Sequence, residues 1–180
     1  IVDLSAMTYT TSTVAGTNAA ETIIGGAGAD GITGGAGADN ITGGAGADTI
    51  VQGTGHSVAV SVALANAAFA ATNVLTFGNG VDVVNGFTAG VGGDALDIQA
   101  GAAVTGIGVA NNVLVAGTNY FLSGTWNAAA GTFTVTADGV GADTVIVQGF
   151  AGAGVDIDTN TSAVVLVGVD SDNLVAGNFI

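Results

Sequence analysis

The apolar pattern of this chain has two periods. Between residues 16 and 51 a large aliphatic residue returns every nine positions, at Ile23, Ile32, Ile41 and Ile50, and the intervals are filled mostly by Gly, Ala and acids. Elsewhere the period is two. Val58, Val60, Val62 and Leu64 alternate with Ser57, Ala59, Ser61 and Ala63, a pattern that predicts a half-buried strand. Further strands are predicted over 74–77, 113–116, 120–122, 132–136, 144–147 and 164–169, separated by turn signals such as Asn111-Asn112 and Ala137-Asp138-Gly139. The stretch 65–72 reads as a short helix or a wide loop. Residues 1–13 alternate as a strand that either pairs within the fold or adds to a neighbour's sheet edge. The expected fold class is all-β, a short parallel β-roll or β-solenoid continuing into a larger β-sandwich or solenoid-like part. Three regions are expected: an N-terminal strand or arm at 1–15, a roll at 16–55, and a β-rich remainder at 56–180.

The nine-residue period carries a motif. Residues 25–33, 34–42 and 43–51 are three consecutive copies of G-G-x-G-x-D-x-U-x, where U is a large aliphatic residue. Asp30, Asp39 and Asp48 hold the acid position; residues 16–24 fit more loosely, with Glu21 as the acid. Six residues of Gly, Ala and Asp make a turn in which glycines expose backbone carbonyls. The x-U-x triplet is then a very short strand with one side chain in a thin core. Two nonapeptides complete one flattened coil, so the acids of alternate nonapeptides stack: Asp30 with Asp48, and Glu21 with Asp39. Carbonyls from Gly25, Gly26, Gly28, Gly34, Gly35, Gly37, Gly43, Gly44 and Gly46 complete an oxygen cage. A flexible linker has no reason to hold Asp and Ile in this register. Looser echoes place Asp82 (77–85) and Asp143 (138–146) in the same frame, each a ligand or a turn-forming Asp. Asp94 and Asp97 are weaker candidates, and Asp156, Asp158, Asp170 and Asp172 read as solvated turns.

Charge then decides what such cages hold. The 180 residues include no Lys, Arg, Cys or Pro and 14 acids, for a net charge of −14. A chain without cations cannot neutralise phosphates or be drawn to anionic lipid. It has no thiols for zinc fingers, disulfides or thiol catalysis. Its hydrophobic content of 49% disfavours disorder, and no run of 18 apolar residues predicts a membrane span. Stacked carboxylates with no basic partner need a hard, oxygen-preferring cation, and Ca²⁺ is the expected cofactor. Metal binding would then be folding free energy. The lone His56 has no organised partners for catalysis, so no enzyme activity is expected. Tyr120, Phe121, Trp126 and Phe133 are expected to fill the core of the second part.

The nonapeptides at 25–51 resemble those of the repeats-in-toxin (RTX) family of Ca²⁺-binding proteins exported by bacterial type I secretion. The stretches 75–98 and 164–180 look like the C-terminal region of RTX-type surface-layer (S-layer) proteins. The resemblance implies that Asp30, Asp39 and Asp48 ligate Ca²⁺ together with the carbonyls of their loops; Glu21 departs from the family's Asp. It also implies an extracellular or cell-surface location and an uncleaved secretion signal over about 160–180. That tail ends in Asn178-Phe179-Ile180, without the family's more usual acid. The leading expectation is a secreted structural protein that self-assembles with Ca²⁺ into a surface layer or filament, its partners being copies of itself and, through Ca²⁺, cell-surface polysaccharide. The alternative is the C-terminal folding and secretion module of a larger adhesin or secreted enzyme. A carbohydrate- or ice-binding domain is a third reading, for which Thr33 and Thr42 are too few to form a ladder.

Overall fold

A computed structural model of the chain describes residues 1–53, 55–57, 71–77, 80–98, 104–106, 119–148 and 162–180. Each nonapeptide yields a minimal strand with its aliphatic residue buried. These are β3 (Thr22–Ile24), β4 (Gly31–Thr33), β5 (Asn40–Thr42) and the slightly longer β6 (Thr49–Gln52). Successive strands alternate between two sheets, and each pairs in parallel with the next strand but one, so that Ile23 faces Ile41 and Ile32 faces Ile50. A strand this short has room for one inward side chain between two turns, which fixes the period.

The roll is longer than the tandem repeats. β1 (Val2–Asp3) pairs with β3, and β2 (Thr13–Ala15) pairs with β4, placing Val14 opposite Ile32. Residues 1–15, expected as a strand or arm, therefore pair within the fold and form the first coil. At the other end, β8 (Asp82–Asn85) lies beside β5 and β9 (Ala95–Ile98) beside β6, with Val84 opposite Ile41 and Leu96 opposite Ile50. The boundary expected at residue 55 is thus a boundary of sequence only; the coil interrupted there resumes at β8. The physical reason is edge satisfaction: β5 and β6 would otherwise end the roll with unpaired backbone groups. Val14, Ile23, Ile32, Ile41, Ile50, Val84 and Leu96 are all buried and form two facing ladders. Ile41→Val removes one methylene from this core and is expected to lower stability by about 0.5–1.5 kcal/mol, measured by denaturant unfolding in saturating Ca²⁺.

The sheet that holds β8 continues into the second part. β14 (Ser162–Val167) is parallel to β8, with Leu166 opposite Val84. Then follow, antiparallel, β13 (Asp143–Gln148), β11 (Asn119–Asn127), β12 (Thr132–Val135) and β7 (Val74–Thr76). β10 (Val104–Gly106) runs parallel to the start of β11. This makes ten strands in one sheet and four in the other among the described residues. The strands expected over 58–64 and 113–116, and residues 65–70, lie outside the described residues. β13 and β14 are buried on both faces. Ile146, Val164 and Leu166 join the roll core, while Val145, Val147, Ala163 and Val165 pack with Leu75, Leu122 and Phe133.

Alternation corrects the expected aromatic cluster. Tyr120, Phe133 and the half-buried Trp126 share the second core, and Phe77 meets Trp126 edge-on at 6.0 Å. Phe121 follows Tyr120 directly, so the pleat turns it to the opposite face. There it packs on the roll core and stacks on Phe179 at 6.2 Å. The tail is likewise built into the fold. Phe179 forms a parallel bridge with Leu96, and Ile180 exchanges backbone hydrogen bonds with Leu96 and Ile98 at 3.2 Å each, adding a rung to the four-stranded sheet.

Candidate metal centre

The acid of each turn sits two residues before the buried aliphatic residue, at the mouth of the following strand. In this position Asp30, Asp39, Asp48, Asp82 and Asp94 are all buried. They form two ladders. On one edge Glu21, Asp39 and Asp82 follow one another coil by coil; on the other, Asp30, Asp48 and Asp94. The same pair of hydrogen bonds recurs at all four steps. The acid's backbone N–H donates to Oδ1 of the next acid: Glu21 to Asp39 (2.9 Å), Asp30 to Asp48 (2.9 Å), Asp39 to Asp82 (2.9 Å) and Asp48 to Asp94 (2.8 Å). The residue after the upper acid donates its N–H back to the lower acid's carbonyl: Asn40 to Glu21, Thr49 to Asp30, Val83 to Asp39 and Ala95 to Asp48, at 2.7–2.8 Å.

The expected stacking of Asp30 with Asp48 and of Glu21 with Asp39 is therefore present, and the glycine loops stack with it. Gly25, Gly26 and Gly28 lie against Gly43, Gly44 and Gly46 of the next coil, and Gly34, Gly35 and Gly37 lie against Gly16, Thr17 and Ala19. Gly35 and Gly44 show why this loop demands glycine. Both have positive φ, +97° and +110°, and a methyl group on either would overlap the carbonyl of Thr17 or Gly26.

Four of the five buried ladder carboxylates are only half satisfied. Asp30 Oδ1, Asp39 Oδ2, Asp48 Oδ2 and Asp82 Oδ2 are buried with no hydrogen-bond partner. Burial pushes Asp39 and Asp48 above the usual carboxylate range, and burial pushes Asp82 up to about 7. Glu21 differs: the Thr17 hydroxyl and N–H both donate to it and hold it below its usual value, which leaves this acid satisfied within its own loop. Among the described residues no three His, Cys, Asp or Glu side chains converge as one ligand group. A cation here must therefore draw much of its shell from the carbonyls of the stacked loops, as a hard divalent ion can. Orphaned, buried, negatively charged oxygens facing carbonyl-lined turns fit that requirement, and no Lys or Arg exists to meet it instead.

Asp143 lies apart from both ladders. Its oxygens accept the N–H groups of Trp126 (2.7 Å) and Gly168 (2.9 Å), tying β11 to the turn after β14. Asp94 completes the second ladder, although its turn is not a nonapeptide: Oδ2 accepts from Thr88 N–H (2.7 Å) six residues back, where Asp30 Oδ2 accepts from Gly26 N–H (2.8 Å) four back. His56 accepts from Gly53 N–H through Nδ1 (3.0 Å), and its carbonyl accepts from Gly37 N–H (3.1 Å). Asp156 and Asp158 lie outside the described residues. Asp170 accepts from Asp172 N–H at 3.0 Å and caps a 3-10 turn (Ser171–Asn173).

A family model describing the RTX calcium-binding nonapeptide repeat matches residues 15–50, as four copies. These residues are RTX repeats. The repeats bind Ca²⁺, the ion that the carboxylate ladders call for. The four copies include the turn of Glu21. No curated protein matches the chain. Among solved structures, the AlgE6R3 subunit of the Azotobacter vinelandii mannuronan C5-epimerase is 22% identical, with a TM-score of 0.41 over 94% of this chain and 77% of that one. The AlgE6R2 subunit of the same epimerase is 23% identical, with a TM-score of 0.42 over 93% and 91%. At these scores the likeness carries no information about activity.

Proposed function

We propose that this chain is a Ca²⁺-dependent folding module of an exported bacterial protein, acting outside the cell. The observation that carries the reading is the set of four buried carboxylate oxygens without a donor, in a chain with no basic side chain to pair them. Inside a cell poor in Ca²⁺ such a chain resists folding; in Ca²⁺-rich surroundings the ions supply the missing positive charge. None of the described helices is long and apolar enough to cross a membrane.

The test is a Ca²⁺ titration followed by circular dichroism and calorimetry. Trp126, which lines a cavity of about 430 Å³ together with Asp39, gives an added fluorescence signal. Folding coupled to Ca²⁺ uptake is expected. An unchanged spectrum and no binding heat would refute the reading. Asp48→Asn is expected to weaken both binding and stability, whereas Asp170→Asn leaves both unchanged, because an amide oxygen caps that turn equally well. Equal effects at the two positions would reduce the case to general charge neutralisation.

Self-assembly is a second reading, favoured by the asymmetry of the roll's ends. Phe179 covers the outer edge of β9, while among the described residues β1 and β2 have no strand on their outer edges. A second copy, or more chain of the same kind, could continue both sheets there. Ca²⁺-dependent sheets or fibres in electron micrographs, dissolved by chelator, would support it; monomers at high concentration would count against it. Cell-surface polysaccharide bridged by Ca²⁺ belongs to this second reading.

A further inference from the structure

We propose that two further Ca²⁺ sites lie outside the nonapeptides: a composite site between Asp39 and Asp82, and another between Asp48 and Asp94. Each joins a tandem loop to a segment 43 or 46 residues further along the chain. The proposal rests on the reading that the tandem loops hold Ca²⁺, and it extends the ion ladder beyond the tandem repeats.

Three observations converge. First, the backbone does not distinguish these steps from the tandem ones. The N–H to Oδ1 bond measures 2.9 Å at Asp39–Asp82 and 2.8 Å at Asp48–Asp94, against 2.9 Å at both tandem steps. The returning N–H to carbonyl bond is likewise present at every step. Second, the unpartnered oxygens gather here. A methyl on Gly16 or Gly25 would strike the carbonyl of Gly34 or Gly43 in the coil above; on Gly34 or Gly43 it would strike the Oδ2 of Asp39 or Asp48 instead. At the upper loops, the space toward the next coil is thus occupied by carboxylate, and both oxygens lack donors. Asp82 Oδ2 is a third orphan. Gln52 lies beside Asp82, where its amide N–H favours the ionised carboxylate, and its Oε1 is buried without a donor. On the Asp39–Asp82 edge the Oδ2 of each acid lacks a donor; on the other edge only Asp48 Oδ2 does, because both Asp94 oxygens accept N–H groups.

Third, the chain gives up the contiguous solution. Residues 52–57, Q-G-T-G-H-S, keep the turn spacing but put Ser57 where the acid would stand. Ser57 is buried elsewhere, its hydroxyl donating to Ala163 carbonyl (2.6 Å) and accepting from Ala163 N–H (2.8 Å) on β14. Asp82 takes the place that this turn leaves without a carboxylate. Ions at these positions would staple β8 and β9, and through β8 the second part, onto the repeats.

Native mass spectrometry of the full chain across a Ca²⁺ titration tests this. At a Ca²⁺ level that saturates the wild type, Asp82→Asn and Asp94→Asn should each carry one ion fewer, and the double variant two fewer, with the tandem ions retained. Wild-type occupancy and affinity in both single variants would overturn the proposal. A wild-type chain that takes up no Ca²⁺ would instead overturn the parent reading. If either variant fails to fold, wild-type crystals grown with Ca²⁺ decide. Anomalous density about 2.3–2.6 Å from Asp39 Oδ2 and Asp82 Oδ2 supports the site, and a water or a protonated Asp82 donating to a neighbour refutes it.

Discussion

Stripped of Ca²⁺ at neutral pH, the protein is expected to lose much of its stability, and the loss should extend beyond the repeats. The roll core gives each turn one aliphatic side chain, Ile23, Ile32, Ile41 or Ile50. Against that thin core stand buried like charges stacked coil on coil along each edge, with no basic group in the chain. The ions are therefore part of the folded state. An ion bound only by the folded state adds about 2.7 kcal/mol per site at a hundred-fold excess over its dissociation constant. For a domain of this size each kcal/mol moves the melting midpoint by roughly 2–4 °C. Two tandem sites alone should thus separate the melting curves in millimolar Ca²⁺ and in EDTA by at least about 10 °C. The second part should melt with the roll, because β14 pairs directly with β8, and Ile146, Val164 and Leu166 pack into the roll core. Mg²⁺ should restore little, since it demands a tighter octahedron and dehydrates reluctantly. Coincident melting curves in Ca²⁺ and EDTA would contradict this account.

The tandem coils are legible because one period encodes everything they need: glycines for the turn, an acid for the edge, an isoleucine for the core. Their continuation is not. The first coil keeps the spacing, with Val14 one full coil before Ile32, but Met7, Thr8 and Thr10 stand where glycines would be. Its loop is matched by position and not by composition. Asp94 is hard to see for a related reason, since its carboxylate is held by an N–H six residues back instead of four and only the pairing of β9 with β6 brings it next to Asp48. Asp143 shows the converse. It sits in a nonapeptide-like frame at 138–146, yet with no acid stacked on it among the described residues its carboxylate serves as a hydrogen-bond acceptor between two segments. The motif thus places an acid in a turn, and only the stacking of turns makes that acid half of a metal site. Stacking depends on strand pairs 43 and 46 residues apart, which no local pattern records.

Acid should stabilise the Ca²⁺-free protein and destabilise the Ca²⁺-loaded one. Asp39 and Asp48 are raised by burial, and Asp82 to about 7 from an ordinary 3.8. Between those two values the folded chain holds protons that the unfolded chain has released, so in EDTA stability falls as pH rises. The favourable contribution is fully present below about pH 3.8 and is lost as pH climbs through about 7. For Asp82 the difference amounts to roughly 4 kcal/mol, at 1.36 kcal/mol per pH unit. Glu21, held low by Thr17, works the other way, but it stands at the solvent-exposed end of its ladder. With Ca²⁺ present the sign reverses, because the ion requires the carboxylates ionised and protons compete with it. Midpoints measured from pH 5 to 8 should therefore fall with pH in EDTA and rise with pH in Ca²⁺, the two series diverging as pH increases. Parallel series would mean that the buried acids are not the groups that hold the ion. Divergence that survives Asp170→Asn but shrinks in Asp82→Asn would place the coupling in the ladder, because Asp170 lies outside it and Asp82 within it.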